Sequence, residues 1–493
     1  MTASKSQPAD LPLCVDLDGT LVKSDTLVDS VLVLARHRPG LLLRLPGWLA
    51  GGKAAFKQKM TASAELDVEH LPWNQPLLQY LREQHGAGRA IYLATASDQA
   101  LAGRIAAWLG IFADVVASDG VTNLAGSNKL AAFQERFPEG FCYIGNALPD
   151  AEVLAACAAP MVANPHLALR RRMQRDGTVA VRSFDDRTPV LKSWLRALRL
   201  HQWAKNTLIF VPLLLAHEWN AATLGGATVA FFSFGMCASA TYILNDLLDL
   251  ETDRRHPRKR RRPFAAGDLS AIAGACAVVL LLAAAAALAV ALPAVVASLA
   301  GDGGLEHPYS FLGWLGLYMV TTLTYSMHLK RRLLLDVFVL SGLYTVRILA
   351  GSAATGVEVS AWLAGFSVFF FLSLAYVKRF SELEGLRERG DAAASGRGYG
   401  VGDLEQLRAL GTGAAYAAVV VLTLYINNSN ASLLYHHPVR LWMAVPVLLL
   451  WLSHVWMLAS RGQMHDDPVV YAITDKRSLL MGVLMAAVVW FAL

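Results

Sequence analysis

The stretch NDLLDLETDRRHPRKRRRPFAAG, residues 245–267, determines how the rest of the chain is interpreted. It follows a long apolar run and opens with an amide and three carboxylates. On a helix Asn245, Asp249 and Asp253 share one face because they are four residues apart. Asp246 lies one step round the same side. Such a row cannot face hydrocarbon, and its oxygen ligands suit Mg²⁺ that carries a phosphate group. The basic run that ends the stretch suits an anionic ligand or an anionic membrane surface.

The chain of 493 residues is too apolar for a soluble protein of its size, since 55% of its residues are hydrophobic and only 17% are charged. Residues 1–200 have a soluble composition, whereas nearly every long apolar run lies after residue 205. A chain of this length predicts at least two domains. We expect an α/β domain over residues 1–187 and an all-α membrane bundle over residues 188–493. The five cysteines show no metal-ligand spacing and are typical of small apolar fillers.

Nine apolar runs predict about nine membrane-spanning helices, because roughly 20 residues are needed to cross a bilayer. An amphipathic segment, residues 188–205, precedes them and is typical of a helix at the membrane interface. The apolar runs are residues 206–219, 223–247, 270–293, 309–327, 333–351, 360–377, 409–427, 439–459 and 478–493.

Lysine and arginine are distributed unequally between the predicted connections. With the N-terminus inside, the inner connections contain the clusters 254–262 and 330–332, whereas the outer connections contain only Arg440. Because positive residues accumulate in cytoplasmic loops, we expect an inner (cytoplasmic) membrane protein with its charged motifs inside and its C-terminus outside. The polar first ten residues predict no cleavable signal peptide. Since two basic clusters of this chain, whose net charge is +6, lie in such loops, we expect no nucleic-acid partner.

Three short apolar runs in the N-terminal part, residues 11–15, 91–94 and 141–144, predict buried strands. The carboxyl ends of parallel strands are the usual place for chemistry in an α/β sheet. The mixed insert between the first two runs, about residues 28–87, predicts a helical segment. Polar residues follow each run, and a lysine precedes the third: Asp16, Asp18, Thr95, Lys129, Asn146 and Asp150.

These motifs, in this order, resemble those of the haloacid dehalogenase superfamily of aspartyl phosphatases over about residues 11–165. The resemblance implies a Rossmann-like domain whose insert forms a helical cap over the site. It implies that Asp16 is the phosphoryl nucleophile and that Asp18 is the general acid/base. Thr95 and Lys129 would hold the phosphoryl oxygens.

The same resemblance implies a Mg²⁺ site in this domain. The family usually has Gly-Asp at the start of its fourth motif, where this chain has Gly-Asn at residues 145–146. An amide still offers one oxygen to Mg²⁺ but removes a negative charge. A degenerate phosphatase domain, retained for scaffolding or regulation, is therefore an alternative. The implied metal ligands are Asp16, Asp18, Asn146 and Asp150.

Further polar residues lie in or beside the apolar runs. Asp336 and Arg347 are 11 residues apart, about three helical turns, so they share a face and should point into the bundle. Snorkelling or helix-pairing charges are the alternative for these two. Lys378 and Glu382 are four residues apart, so a simple surface ion pair is the alternative for them.

The aspartate row and these polar residues together resemble the UbiA superfamily of intramembrane prenyltransferases over residues 195–493. The markers are NDLLDLETD at residues 245–253 and KRRRPFAAG at residues 259–267. Within the superfamily the chain is similar to the decaprenyl-phosphate phosphoribosyltransferases, which RLHQWAKN at residues 199–206 supports. Aromatic-prenyltransferase members usually carry a second aspartate-rich motif where this chain has KRFSE, residues 378–382.

The resemblance implies Mg²⁺-dependent transfer of 5-phosphoribose from phosphoribosyl pyrophosphate to a polyprenyl phosphate. Asp246, Asp249 and Asp253 would bind the metal that carries the departing diphosphate. The fused phosphatase would remove the 5-phosphate from the product. The residues expected to contact substrates are Lys205, Asn206, Asn245, Lys259, Arg262, Tyr325, Lys330, Asp336, Tyr344, Arg347, Lys378, Arg379 and Glu382.

Two other functions stay open. One is an aromatic polyprenyltransferase, in which the same aspartates bind a polyprenyl diphosphate. The other is a non-catalytic membrane scaffold or transporter whose soluble domain binds a regulatory phosphate compound. The sequence leaves the prenyl chain length and the oligomeric state open, and a homo-oligomer is compatible with it.

Overall fold

The computed structural model describes residues 10–119, 124–301, 304–388, 398–428, 431, 434–464 and 467–493. Most of the N-terminal segment that predicts no signal peptide lies outside the described residues. The chain folds as two compact units, one of residues 1–198 and 242–278 and the other of residues 199–241 and 279–493. The aspartate row therefore belongs to the same unit as the N-terminal domain. The domain boundary between residues 187 and 188 stays a prediction.

The first unit is built on a six-stranded sheet in the order β3-β2-β1-β4-β5-β6, and all of its pairings are parallel. This confirms the predicted parallel α/β domain. β1 is buried along its whole length and pairs with β2 and β4. The second predicted strand is longer than expected and continues to Asp98. The strands are β1 (Leu13–Val15), β2 (Ile91–Asp98), β3 (Asp114–Ser118), β4 (Cys142–Gly145), β5 (Ala159–Ala163) and β6 (Arg182–Phe184).

Helices lie between successive strands along the chain. The insert between β1 and β2 is helical, as the sequence predicts. α9 lies within the predicted amphipathic segment and buries only Ser193 and Ala197. The helices before residue 200 are α1 (Thr26–His37), α2 (Leu45–Ala50), α3 (Lys53–Ser63), α4 (Gln75–Gly86), α5 (Gln99–Leu109), α6 (Ser127–Arg136), α7 (Ala151–Ala156), α8 (Leu167–Arg175) and α9 (Val190–Leu198).

The part of the chain after residue 200 is helical wherever it forms regular structure in the described residues. Its core is formed by apolar side chains such as Val337, Phe371, Leu374 and Val455. A 3-10 helix, Leu200–Phe210, carries Lys205 and Asn206. The helices are α10 (Val211–Ala216), α11 (Ala221–Leu248), α12 (Leu250–Arg255), α13 (Ala271–Ala300), α14 (Ser310–Met327), α15 (Leu335–Thr355), α16 (Ala361–Arg387), α17 (Leu404–Ile426), α18 (Ala444–Ser460), α19 (Pro468–Thr474) and α20 (Lys476–Ala492).

Six helical segments in the described residues are long and apolar enough to cross a membrane. The other three predicted runs fall on shorter or less apolar helices, namely α10, α14 and α20, so the count of nine is not confirmed. The six candidate spans are Ala221–Leu248, Ala271–Ala300, Leu335–Thr355, Ala361–Arg387, Val401–Ile426 and Pro438–Ser460.

The helix that carries the aspartate row is interrupted. α11 ends at Leu248 and α12 begins at Leu250, because Asp249 has a φ of −93° and a ψ of 12°. The Asp249 N–H still donates to the Asn245 carbonyl at 2.9 Å, and the Asp253 N–H donates to the Asp249 carbonyl at 2.8 Å. The row therefore remains close to the helical arrangement that its spacing predicts.

Candidate active sites

The carboxyl edge of the sheet gathers three of the predicted residues of the N-terminal domain. Lys129, from α6, places its Nζ 2.9 Å from Asp16 Oδ1 and 3.6 Å from Asp150 Oδ1. The same ammonium donates to the Tyr143 hydroxyl at 2.9 Å, and that hydroxyl donates to Asp150 at 2.6 Å. All four side chains are almost completely buried. Sequence reasoning missed Tyr143, which lies within the strand β4.

Burial dominates the electrostatics of this group. It raises the pKa of the Asp16 carboxyl to about 7, because the loss of water and the nearby Asp150 charge together outweigh the attraction of Lys129. Burial opposes the charged form of Lys129, but the carboxylates of Asp16 and Asp150 outweigh it and raise the pKa of this ammonium. Two carboxylates thus face one cation, which favours the arrival of a further positive charge.

Asp18 is fixed by the start of α1 and the end of β2. Its Oδ1 accepts the Thr26 N–H at 2.8 Å, and its Oδ2 accepts the Ser97 hydroxyl at 2.5 Å. Thr95 is fully buried, and its hydroxyl accepts the Ser97 N–H at 3.0 Å. The predicted general acid/base is therefore held in one orientation.

Asn146 presents a buried acceptor toward the same edge. Its Oδ1 has no hydrogen-bond partner among the described residues. Gly19, with a φ of +74°, lies so close that a Cβ there would approach Asn146 Nδ2 to 2.1 Å. A buried acceptor without a partner is costly, so this oxygen fits a metal ligand. In the described parts of the chain, however, no three His, Cys or acidic side chains are arranged to hold a metal ion.

The aspartate row is neutralised by guanidinium groups. Arg262 Nη1 lies 3.0 Å from Asp246 Oδ1 and 2.7 Å from Asp253 Oδ2, and both carboxylates are buried. Burial raises the pKa of Asp253, although Arg262 opposes that shift. Asp249 pairs instead with Arg36 of α1, at 3.2 Å.

Two carboxylates that converge on one cationic nitrogen fit Mg²⁺, which is commonly bound by one or two carboxylates together with substrate phosphates. Of the other predicted residues here, Asn245 is half-buried and Lys259 is exposed.

A second group of charges lies in the other unit, around Asp467. Lys205 Nζ and Lys378 Nζ each lie 2.7 Å from Asp467 Oδ2, and the Tyr344 hydroxyl donates to Oδ1 at 2.9 Å. Asp467 also caps α19 by accepting the Val469 N–H at 3.2 Å. Burial opposes ionisation of Asp467, but the two ammonium groups outweigh it and hold its pKa well below the usual range.

Asp467 escaped sequence reasoning. The only local signal is that it precedes Pro468, as helix-capping residues often do, and that signal predicts a cap rather than a site. Lys378, for which the alternative is a surface pair with Glu382, forms an ion pair with Asp467, whose side chain is only 7% exposed.

Arg347 and Asp336 both lie buried on α15, as predicted, but they contact different partners. Arg347 Nε donates to Asn206 Oδ1 at 3.0 Å, and its Nη2 donates to the Tyr318 hydroxyl at 3.1 Å. The sequence predicts Asn206 as a site residue but does not single out Tyr318.

Asp336 forms a buried ion pair with Arg379 of α16. It also accepts the Tyr399 hydroxyl at 2.6 Å. Arg379 further donates to Glu382 and to the Tyr325 hydroxyl, both at 2.7 Å. Three predicted residues, Asp336, Glu382 and Tyr325, thus contact Arg379. Lys330, five residues after Tyr325 in the sequence, is half-buried. Helix pairing accounts for the charge of Asp336 at least in part.

Known proteins are similar in sequence to the helical part of this chain. Residues 206–481 match the UbiA prenyltransferase family. The chain is 37% identical over 483 residues to the uncharacterized protein y4nM of Sinorhizobium fredii. This alignment covers 97% of this chain and 90% of that protein. It is 33% identical over 204 residues to the decaprenyl-phosphate phosphoribosyltransferase of Mycobacterium tuberculosis, covering 40% of this chain and 62% of that protein.

Among solved structures, a UbiA homolog from Archaeoglobus fulgidus bound to GPP and Mg²⁺ aligns with a TM-score of 0.45 at 16% identity. The alignment covers 61% of this chain and 99% of that one. The family match spans more than half of the chain and includes NDLLDLETD, residues 245–253, and KRRRPFAAG, residues 259–267. The chain belongs to the UbiA prenyltransferase family.

Proposed function

We propose that this UbiA-family transferase moves a 5-phosphoribosyl group from phosphoribosyl pyrophosphate to a polyprenyl phosphate. The observation that carries the proposal is the convergence of Lys205 and Lys378 on one carboxylate oxygen of Asp467, each at 2.7 Å. Two ammonium groups from separate elements suit a phosphate monoester, which binds cations more strongly than a neutral group does. An uncharged aromatic acceptor would not need two ammonium groups. The similarity to a decaprenyl-phosphate phosphoribosyltransferase supports the same assignment.

The aspartate row would bind the donor. Asp246 and Asp253, which already converge on Arg262, would hold Mg²⁺, and Asp249, which pairs with Arg36, would join them when the metal is bound. A bound metal ion would neutralise the negative charge that develops on the departing diphosphate. Arg262 would then turn its guanidinium to the phosphate oxygens, for which its planar fork is suited.

The lipid phosphate would act as the nucleophile. One of its oxygens forms a bond to C1 of the ribose, while the bond from C1 to the diphosphate oxygen breaks and its electron pair leaves with pyrophosphate. The phosphate monoester is ionised at neutral pH, so no strong general base is required. Lys205 and Lys378 would orient the phosphate, and the isoprenoid tail would lie between the apolar helices.

The N-terminal domain would act on the product as a phosphatase of the haloacid dehalogenase type. Asp16 attacks the phosphorus of the 5-phosphate and forms a phosphoaspartate, while Asp18 donates a proton to the departing ribose oxygen. Water then hydrolyses the phosphoaspartate and regenerates Asp16. The contact of Lys129 with Asp16, at 2.9 Å, supports this assignment because it places a cation where phosphoryl oxygens would lie.

Mass spectrometry of lipid products tests both halves of the proposal. Membranes containing the wild type should convert phosphoribosyl pyrophosphate and polyprenyl phosphate to polyprenylphosphoryl ribose. The Asp16→Asn variant should accumulate the 5-phosphorylated lipid, and Asp253→Asn should form neither product because the metal site loses a charge.

Asp10→Asn, a change at an exposed carboxylate, is the matched control and should behave as the wild type does. Turnover of a labelled polyprenyl diphosphate with an aromatic acceptor, without any phosphoribosyl lipid, would contradict the transfer assignment. Identical products from wild type and Asp16→Asn would contradict the phosphatase assignment.

A further inference from the structure

Helix α1 connects the two candidate sites of the first unit. At its start the Thr26 N–H donates to Asp18 Oδ1 at 2.8 Å, beside the predicted phosphatase nucleophile. In its last turn Arg36 Nη2 lies 3.2 Å from Asp249 Oδ1, in the aspartate row. The side chains of Arg36 and Asp249 are 18% and 15% exposed. A residue of the N-terminal domain therefore contacts a predicted metal ligand of the transferase.

The packing around α1 fixes this contact. Arg254 of α12 lies 2.8 Å from Asp29 of α1, and the two side chains are only 6% and 2% exposed. The same arginine donates to the Ser24 hydroxyl at 3.0 Å. Gly267, with a φ of +71°, approaches so closely that a Cβ there would lie 2.7 Å from Lys23 Cβ. Because these neighbours hold α1 against the segment that carries the row, Arg36 is directed at Asp249 by buried contacts.

The charges of the row show what Arg36 could do. Its three carboxylates are paired with two guanidinium groups, since Arg262 contacts Asp246 and Asp253 while Arg36 contacts Asp249. A metal ion bound to a diphosphate brings a cation for the carboxylates and anionic oxygens for the guanidiniums. Arginine binds such oxygens through two N–H groups at once. When the metal binds Asp249, the diphosphate oxygens of the complete ligand would thus replace this carboxylate as the partner of Arg36.

We propose that Arg36 is a diphosphate-binding residue of the transferase site, supplied by the N-terminal domain. Without ligand it holds Asp249, and with a metal–diphosphate it turns to the phosphate oxygens. The inference rests on the proposed function only in treating the aspartate row as a metal–diphosphate site. The diphosphate could belong to phosphoribosyl pyrophosphate or to a prenyl diphosphate, because the recognised chemistry is the same.

Two binding measurements on the detergent-solubilised full chain test the role of Arg36. Titration of Mn²⁺ alone, followed by electron paramagnetic resonance, reports competition for the carboxylates. Titration of inorganic pyrophosphate in excess Mg²⁺ reports binding of the complete ligand. In Arg36→Ala we expect Mn²⁺ alone to bind several-fold more tightly, because a competing cation is gone, and magnesium pyrophosphate to bind about tenfold more weakly. Arg36→Lys should lie between the wild type and Arg36→Ala in both titrations.

Arg38→Ala, two residues farther along at an exposed position, is the control and should change neither affinity. A merely structural role of Arg36 predicts weaker binding of both ligands, and that result, or no change in either, would overturn the inference. If Arg36→Ala does not fold, the same two titrations of Arg36→Lys decide the matter, because their opposite signs should persist.

Turnover assays with each donor identify the source of the diphosphate. The Michaelis constant of Arg36→Ala should rise for the donor that the wild type uses, either phosphoribosyl pyrophosphate or prenyl diphosphate. The use of prenyl diphosphate alone would refute the proposed phosphoribosyl transfer and leave the role of Arg36 intact. Unchanged binding in the two titrations would refute the role of Arg36 and leave the proposed transfer intact.

Discussion

At the scale of single residues, Asp467 changes the interpretation of two lysines that the sequence singles out. Both ammonium groups are paired with one buried carboxylate. Burial and the neighbouring charge of Lys378 lower the pKa of Lys205 to about 8, although Asp467 opposes the shift. Lys205 therefore titrates close to the physiological range, far below an ordinary lysine.

This shift predicts a pH dependence of lipid binding. Below pH 8 Lys205 carries a positive charge, and as the pH rises through the pKa of about 8 it loses the proton and its attraction to phosphate. The lipid phosphate itself is fully ionised there, since its second pKa is about 6. We expect kcat/KM for polyprenyl phosphate to fall above pH 8, by about tenfold for each further pH unit. Initial rates between pH 6.5 and 9.5 measure this fall.

Lys205→Arg provides the decisive comparison, because a guanidinium keeps its proton up to a pH of about 12. The fall due to this group should then disappear. Lys192→Arg makes the same change at an exposed lysine and should retain the wild-type profile. An unchanged alkaline midpoint in Lys205→Arg would show that another group is responsible.

At the scale of elements, two adjacent arginines of α12 form ion pairs in different surroundings, and only Arg254 pairs with a residue of α1. The pair Arg254–Asp29 is buried, whereas the Arg255 side chain, which pairs with Asp67 at 2.6 Å, is 55% exposed. Removal of one partner from a buried pair leaves an uncompensated charge and costs about 3–5 kcal/mol. An exposed pair contributes roughly 0–1 kcal/mol.

We therefore expect Arg254→Ala to reduce the free energy of unfolding of the first unit by about 3–5 kcal/mol, and Arg255→Ala by less than about 1 kcal/mol. Thermal and denaturant unfolding of the solubilised chain, together with the rate of proteolysis, measure the difference. The double variant Arg254→Met, Asp29→Leu should recover much of the loss, because neither charge then remains buried. A loss in Arg254→Ala as small as that in Arg255→Ala would show that the contact between α1 and α12 adds little stability.

At the scale of the whole molecule, the parity of the membrane crossings is testable. Six candidate spans would return the C-terminus to the side of the N-terminus, whereas the nine predicted from the sequence place it on the opposite side. We expect the odd number, because the basic residues of the connections lie almost entirely on one side in that arrangement. Alkaline phosphatase fused after residue 493 should then be active, and green fluorescent protein fused there should be dark.

Fusions after residue 332, within a basic connection, should give the opposite pair of signals. The unfused chain sets the background for the phosphatase assay, since its own N-terminal domain is a candidate phosphatase. A fluorescent C-terminal fusion would show that one or three of the shorter helices α10, α14 and α20 do not cross.

The sequence by itself determined the parallel α/β domain, the strands β1 and β4, the start of β2, the family of the helical part and most of the candidate residues. Local periodicity and short motifs carry that information, because the spacing of apolar residues and the spacing of polar residues within a motif both involve residues that are close in the sequence. Only the tertiary structure showed Asp467 between Lys205 and Lys378, and Arg36 on Asp249. The partners in each contact are at least 89 residues apart in the sequence, and Lys378 and Asp467 have this smallest separation. No local pattern records such contacts, since they depend on the packing of elements that are distant along the chain.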